Sequence, residues 1–410
     1  MTNTPVAQKQ KELMLDELTG EALRNNPGLR AFQHKVEASR FRIPQEKGLP
    51  DPMFMAGYQN EGWNRFTLGE MEGAQLMFSA SQTFPYPGKL GLKGEIAAQD
   101  SKSLEQACEG LKLQTVRKVK DLYYGLLLDY KELDIIASRR ALFDRMEDAA
   151  LARYSAGLAP QEDVLLAQTE KYRLLERQQQ INQKIQSGDA ALNAALGRDV
   201  ATPLGRPMET AFELKTENAG DLTGVPLESS PAIKAKKRLV EAADANLRLA
   251  KKQYYPDFTV TGSVAKRGGE FEDMWALTGA VNVPLYYRTK QRQGVYEAQS
   301  LRSDAEREVD AARYELASDI KGYYVAAKTA DKLMELYRKG LIPKTYQDFE
   351  AALAGYSTGK VTALTAIDRL KSLLDLEFLY WEQFAAKQKA IAAIEAITGK
   401  TPYITEAQAR

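Results

Sequence analysis

The chain of 410 residues predicts an internally duplicated α+β protein, each copy carrying two strands followed by a very long helical hairpin. Recurrence is the first observation behind that reading. Asn26-Pro27 and Pro52 return at equal displacement as Ser230-Pro231 and Pro256; Tyr123-Tyr124 returns as Tyr323-Tyr324. Likewise, Tyr154-Ser155-Ala156-Gly157 returns as Tyr356-Ser357-Thr358-Gly359. A change of hydrophobic period from 3.6 to 2 at the same place in each copy is the second. The third is a pair of long, charged, Ala/Leu-rich stretches, about 89–153 and 288–354, interrupted by little but glycines and Pro343. The repeat is far longer than solenoid periods, so one elaborate unit has been doubled.

Taken in order, residues 1–16 read as an N-terminal arm and 17–197 as the first structural repeat. Residues 198–229, rich in Pro, Gly and Thr, read as a linker with a short equatorial element; 230–399 form the second repeat and 400–410 a C-terminal tail. In the first repeat a helix ends before Gly48-Leu49-Pro50, and strands follow at about 53–60 and 73–84 with ragged alternation. The second copy is cleaner, with strands at about 257–265 and 274–285. There Phe258, Val260 and Val264 alternate with Thr259, Thr261 and Ser263, while Leu277, Val281 and Val283 alternate with Thr278 and Asn282. Each strand has about the ten residues that a tilted strand needs to cross a bilayer. Aromatic residues gather at the strand ends, among them Tyr58, Trp63, Tyr86, Tyr255, Trp275 and Tyr286, as in the girdles of membrane barrels. Returning helices are expected at about 160–196 and 361–398, the latter with Leu370, Leu373, Leu374, Leu376 and Leu379 at bundle spacing.

Composition narrows the function. With 56 basic and 55 acidic residues the net charge is +1, so nothing draws the chain to nucleic acid. Cys108 is the single cysteine, which excludes an intrachain disulfide, and it reads as a packed helix residue. Met1 to Gly20 shows no charged start followed by an apolar run, so no secretory signal is visible within it. No apolar run reaches about eighteen residues, so a membrane crossing would use strands. His34 is the only histidine, which removes His-based metal sites and catalytic triads. Thr398-Gly399-Lys400-Thr401 resembles the end of a phosphate loop but follows a helix and has Ile394 where the first glycine belongs. Met53 and Met55 share a strand face and are expected to pack or to meet lipid rather than ligate a soft metal. No cofactor, metal site or enzymatic activity is expected.

Four membrane-length strands leave two open edges, which are costly in hydrocarbon, so the sheet must close with further copies. Two copies give a barrel little more than filled by its own side chains; three give twelve strands and a water-filled lumen. Thr259, Thr261, Ser263, Thr278 and Asn282 would line it. The long helices, roughly 100 Å at 1.5 Å per residue, would continue the barrel as a tunnel.

This order, with Gln82-Thr83-Phe84-Pro85-Tyr86-Pro87-Gly88-Lys89-Leu90 after the second strand and the paired Tyr-x-x-Gly turns, resembles the TolC-like outer-membrane efflux channels over about residues 16–400. The resemblance implies an α+β membrane channel: a trimeric 12-stranded barrel continued by a long α-helical periplasmic barrel. It implies a homotrimer in outer-membrane lipid of a Gram-negative bacterium, extending into the periplasm. Its partners would be a periplasmic adaptor (membrane fusion) protein and an inner-membrane RND-type pump, and its cargo small toxic solutes. The Pro-Tyr-Pro-Gly-Lys corner is most similar to the heavy-metal branch. A drug-efflux or type I secretion channel, and a soluble coiled-coil scaffold, stand as alternatives.

By the same resemblance, Asp163 and Asp368 fall where related channels carry acidic residues at the periplasmic constriction, and Glu162 adds to the first. Threefold symmetry would make each a carboxylate ring that favours cations. Glu162 and Asp163 also suit a helix start after Pro160, where acids favour the helix dipole. Gly157 and Gly359 mark the helix turns, with Tyr154 and Tyr356 as gate candidates. Some relatives tie the closed mouth with an arginine two residues past the second glycine; here that residue is Val361.

Overall fold

A computed structural model describes residues 12–214, 220, 225–399 and 403–405. The first part of the expected arm, linker positions 215–219 and 221–224, and most of the expected tail, with Lys400-Thr401, lie outside the described residues. The chain divides into two compact units, residues 1–32, 108–231 and 313–410, and residues 33–107 and 232–312. Each draws on both sequence copies.

The helices longer than one turn are α1 (Leu15–Asn25), α2 (Pro27–Lys47), α3 (Lys89–Ser155), α4 (Gln161–Leu196), α5 (Pro231–Lys252), α6 (Gln291–Leu336), α7 (Ile342–Ser357) and α8 (Ala363–Thr398). The strands are β1 (Met53–Gln59), β2 (Gln75–Phe84), β3 (Phe212–Leu214), β4 (Asp257–Lys266), β5 (Met274–Asn282) and β6 (Tyr403–Thr405). Among the described residues no helix is long and apolar enough to cross a membrane.

The first unit is a helical bundle. Leu370, Leu373 and Leu374 are buried beside Phe349, Phe378, Met146 and Ile391, as three- and four-residue spacing on a packed helix dictates. Charged pairs lace the helix surfaces: Arg145 grips Glu350 through two bonds of 2.8 and 3.0 Å, and Arg139 forks onto Glu377. Tyr123 and Tyr124 are buried, and their hydroxyls reach backbone carbonyls of Leu13, Met208 and Thr210. They thereby anchor the segment leading into β3, which pairs antiparallel with β6. Residues 13–16, expected in a polar arm, differ: Leu13 and Leu15 are buried, and α1 starts at Leu15. The helix expected up to Gly48 is two helices. Pro27 lacks an N–H and disfavours helical backbone at Asn26, whose side-chain oxygen instead accepts from Leu29 N at 3.0 Å and caps α2.

A second departure lies in the long helix of the second copy. Whereas α3 runs unbroken for 67 residues, α6 and α7 are joined by a π-helical segment, Tyr337–Leu341. Pro343 explains it, since its ring lacks a donor and would clash with a carbonyl four residues back in a regular α-helix. A wider turn relieves both problems.

The second unit holds one antiparallel sheet in the order β1-β2-β4-β5. The corner Pro85-Tyr86-Pro87-Gly88-Lys89 is fastened to the start of β4. The buried Lys89 ammonium bonds Asp257 Oδ1 at 2.8 Å and Tyr255 O at 2.9 Å, and Tyr86 N donates to the same carboxylate oxygen at 2.7 Å. Tyr86 stacks on Tyr255 with centroids 4.4 Å apart, and Gly88 takes a φ of 89° that a side chain would resist. One aspartate therefore fixes a strand start and a helix start together.

Candidate functional site

Two places carry the residues singled out in the sequence, one in each unit. In the helical unit the Tyr-x-x-Gly turns are Schellman caps. Gly157 N bonds Tyr154 O and Leu158 N bonds Arg153 O; Gly359 N bonds Tyr356 O and Lys360 N bonds Gly355 O. Gly157 and Gly359 have φ of 70° and 79°, the left-handed conformation that this cap needs.

The two tyrosines nevertheless have opposite fates. Tyr154 is 44 % exposed, whereas Tyr356 is 1 % exposed. The Tyr356 hydroxyl donates to Asp163 Oδ2 at 2.9 Å, linking the end of α7 to the first turn of α4. Arg153, at the end of α3, donates through Nη1 to Tyr356 O and through Nη2 to Leu158 O at 2.8 Å. Its guanidinium carbon lies 5.0 Å from the centre of the Tyr356 ring. Burial pushes the Tyr356 hydroxyl up to about 12, and the facing Asp163 carboxylate adds to the shift. A tyrosine so placed stays a donor at any physiological pH, and the contact is a standing pin between two hairpins.

The residue two positions past Gly359 is Val361. The valine packs over Gly355, where an added Cβ would come 2.7 Å from Val Cγ2. The guanidinium at this turn is that of Arg153, adjacent to the first-copy tyrosine. The available signal was its place in the repeat, because the residue corresponding to Arg153 in the second copy is Gly355.

Glu162 and Asp163 do occupy the first turn of α4, as a helix start at Pro160 requires. Glu162 is exposed, and Asp163 is turned to Tyr356. Asp368 lies on α8, exposed, and its backbone carbonyl accepts from Ser372 at 2.8 Å. It takes no part in the pin.

In the sheet unit, register decides which side chains share a face. Thr261 opposes Thr278 and Ser81, Ser263 opposes Ser79, Thr259 opposes Thr83, and Asp257 opposes Asn282. Thr259, Thr261, Ser263, Thr278 and Asn282 thus stand on one face with Ser79, Ser81 and Thr83, and the Thr83 and Thr259 hydroxyls are 3.0 Å apart. The other face carries Phe54, Phe78, Phe258, Val260, Val264, Trp275, Leu277 and Val281. The β2 hydroxyls went unread in the sequence because their alternation is diluted by Met77 on the hydroxyl face and Gln82 on the apolar one. Met53 and Met55 stand with the hydroxyls, opposite Ser81 and Ser79, and not with Phe54.

The sheet therefore has one hydroxyl face, one aromatic-aliphatic face and two open edges, at β1 and β5. The profile of the outer membrane efflux protein family matches residues 18–198 and 224–399. The chain belongs to that family. It is thus an outer-membrane channel of the efflux class and not an enzyme.

Among relatives, the chain is 22 % identical over 392 residues to the cobalt-zinc-cadmium resistance protein CzcC of Cupriavidus metallidurans, covering 95 % of this chain and 90 % of that protein. It is 20 % identical over 302 residues to the toluene efflux pump outer membrane protein TtgC of Pseudomonas putida, covering 71 % and 61 %. Among solved structures, CusC superposes with a TM-score of 0.79 at 15 % identity over 97 % of this chain and 95 % of that one. The outer membrane protein VceC of Vibrio cholerae superposes with a TM-score of 0.77 at 16 % identity, covering 94 % and 96 %. These likenesses carry the α+β channel fold.

Proposed function

We propose that three copies of this chain form the outer-membrane conduit of a tripartite efflux system, served by a periplasmic adaptor and an inner-membrane RND-type pump, and that its cargo is heavy-metal cations. The observation that carries the reading is the four-stranded sheet with unpaired edges at β1 and β5. Each bare N–H and C=O is costly in hydrocarbon, and antiparallel pairing of β5 with the β1 of the next copy satisfies them. Three sheets then close a barrel wide enough for a lumen. The hydroxyl face of Thr259, Thr261, Ser263, Thr278 and Asn282 lines it, and the face of Phe78, Val264 and Leu277 meets lipid.

At the periplasmic mouth, the Tyr356–Asp163 bond and the Arg153 grip hold one hairpin to the other and keep the passage narrow. Glu162 and Asp368, both exposed, supply carboxylates that favour cations under threefold symmetry. The metal assignment rests on the match to the cobalt-zinc-cadmium resistance protein over nearly the whole chain.

Planar-bilayer conductance, paired with the mass of the purified oligomer, tests this reading. A trimer with discrete, cation-preferring current steps supports it. Asp368→Ala should then reduce cation preference, seen as a smaller reversal potential under a salt gradient, and an unchanged potential removes Asp368 from the selectivity role. A water-soluble species that never enters bilayers overturns the conduit altogether.

A further inference from the structure

All four methionines within the strands of the sheet, Met53 and Met55 on β1, Met77 on β2 and Met274 on β5, fall on the hydroxyl face. They are its only large apolar side chains. The remaining positions of that face are Gly, Ala, Ser, Thr, Asn, Asp and Gln, whereas phenylalanine, leucine, valine and tryptophan are confined to the opposite face. A segregation this complete is not what lipid contact produces, because a lipid-facing methionine would stand among the aliphatic and aromatic residues. Nor do these side chains fill a core, since Met53, Met55 and Met274 are 68 %, 56 % and 49 % exposed.

Their placement along the sheet is ordered. Met53 and Met55 are two residues apart on one strand, about 7 Å along it. Met77 opposes Gly57, and its methyl lies 3.8 Å from where a glycine Cβ would stand, so the absent side chain makes room for the thioether. Met55 is the diagonal neighbour of Met77 across that glycine, again at about 7–8 Å. Met77 opposes Ala265, which opposes Met274, so the last two thioethers share one row of the sheet.

We propose that these four methionines form a thioether track in the lumen that binds soft monovalent cations, of the Cu(I) and Ag(I) kind, weakly and in succession. This rests on the reading of the hydroxyl face as the lumen wall and narrows the cargo within it. Thioether sulfur is a neutral, soft donor that selects Cu(I) over harder ions, and it needs no deprotonation to bind. Sites one short step apart, none of them a closed cage, give the weak multiple binding that conduction requires. Neighbouring hydroxyls supply hydration without competing for a soft ion.

The test uses the full-length protein in a Cys108→Ser background, so that no thiol competes, in nitrate salts. With methionine methyl groups labelled with carbon-13, Ag+ alone should shift the resonances of Met53, Met55, Met77 and Met274 saturably. Zn2+ should not shift them, and buried Met146 should respond to neither. In bilayers, Ag+ should reduce the unitary current, and the combined Met53→Leu, Met55→Leu, Met77→Leu and Met274→Leu variant should lose that sensitivity about tenfold, read as the ratio of its own current with and without Ag+. Strand methyls that ignore Ag+, or respond equally to Zn2+, overturn the proposal, as does an undiminished block in the leucine variant. A lipid-dissolved spin label that broadens these methyls overturns the face assignment, and the track with it, in a channel that still conducts. Loss of the conduit itself would be seen separately, as a species without conductance or trimer mass.

Discussion

Tyr154 and Tyr356 occupy the same place in two copies of one sequence, the same position of the same helix cap, yet one is exposed and the other buried. The backbone around them cannot account for this, since both turns are Schellman caps with a left-handed glycine. The difference lies in what each copy lends the other. Arg153 and Asp163 belong to the first copy, and their counterparts are Gly355 and Thr365. The second tyrosine therefore receives a cation and an anion from the first hairpin, whereas the first tyrosine has neither opposite it. Duplication supplies two equal turns, and divergence of two flanking residues turns one into a socket.

Truncation separates the two turns most strongly. Tyr356→Ala removes a buried ring and should cost about 3–5 kcal/mol, read as lost amide-exchange protection across Ile342–Ser357. Tyr154→Ala should stay within about 0.5 kcal/mol, and equal costs would mean that the burial difference carries no energy. Next comes Tyr356→Phe, which keeps the ring and deletes the donor to Asp163. A hydrogen bond to a charged group is worth about 2 kcal/mol, and a cycle with Asp163→Asn should show coupling between the two changes. Strictly additive effects would detach Asp163 from the pin. If the pin narrows the mouth, the same variant should also conduct more often.

The same bond can be probed by pH. The Tyr356 hydroxyl is raised from 10.0 to about 12, so folding favours its neutral form. Its contribution is complete below the unfolded value near 10 and is lost as pH rises through about 12. Tyrosinate absorbance in Asp163→Asn should show one tyrosine ionising at lower pH than in the unsubstituted protein. The smallest separation is expected at the glycines. Gly157→Ala and Gly359→Ala should each cost about 1–2 kcal/mol for left-handed backbone. Gly359→Ala should be the worse, because its Cβ would stand 3.1 Å from Arg153 Nη1, whereas nothing lies near that of Gly157. A reversed order would place Arg153 away from the turn.

Much of this fold was legible because its signals are local. The second-copy strands could be read from Thr259, Thr261 and Ser263 alternating with Phe258, Val260 and Val264, and the hairpin ends from Gly157 and Gly359. The first-copy strands read as ragged for a physical reason that the register makes plain: Met53, Met55 and Met77 put apolar side chains on the hydroxyl face, so hydropathy does not alternate there although the backbone does. The break at Asn26 was marked by Pro27, but the preceding leucines were read as part of an arm because their burial depends on the distant Tyr123 and the segment around Pro207. Least legible was the pin. Arg153, Asp163 and Tyr356 are brought together from hairpins far apart in the chain, and no local period encodes that.

The π-helical segment Tyr337–Leu341 bears on how such a doubled gene can drift. From the Tyr-Tyr pair to the turn tyrosine, the second copy is two residues longer than the first. An added residue in a regular α-helix swings everything beyond it by about 100° around the axis. A turn closed by bonds to the fifth residue houses one more residue locally. Such a turn acts as an expansion joint, letting one half of a pseudo-symmetric chain change length while about half of the rotation that two added residues would bring is taken up within a single turn.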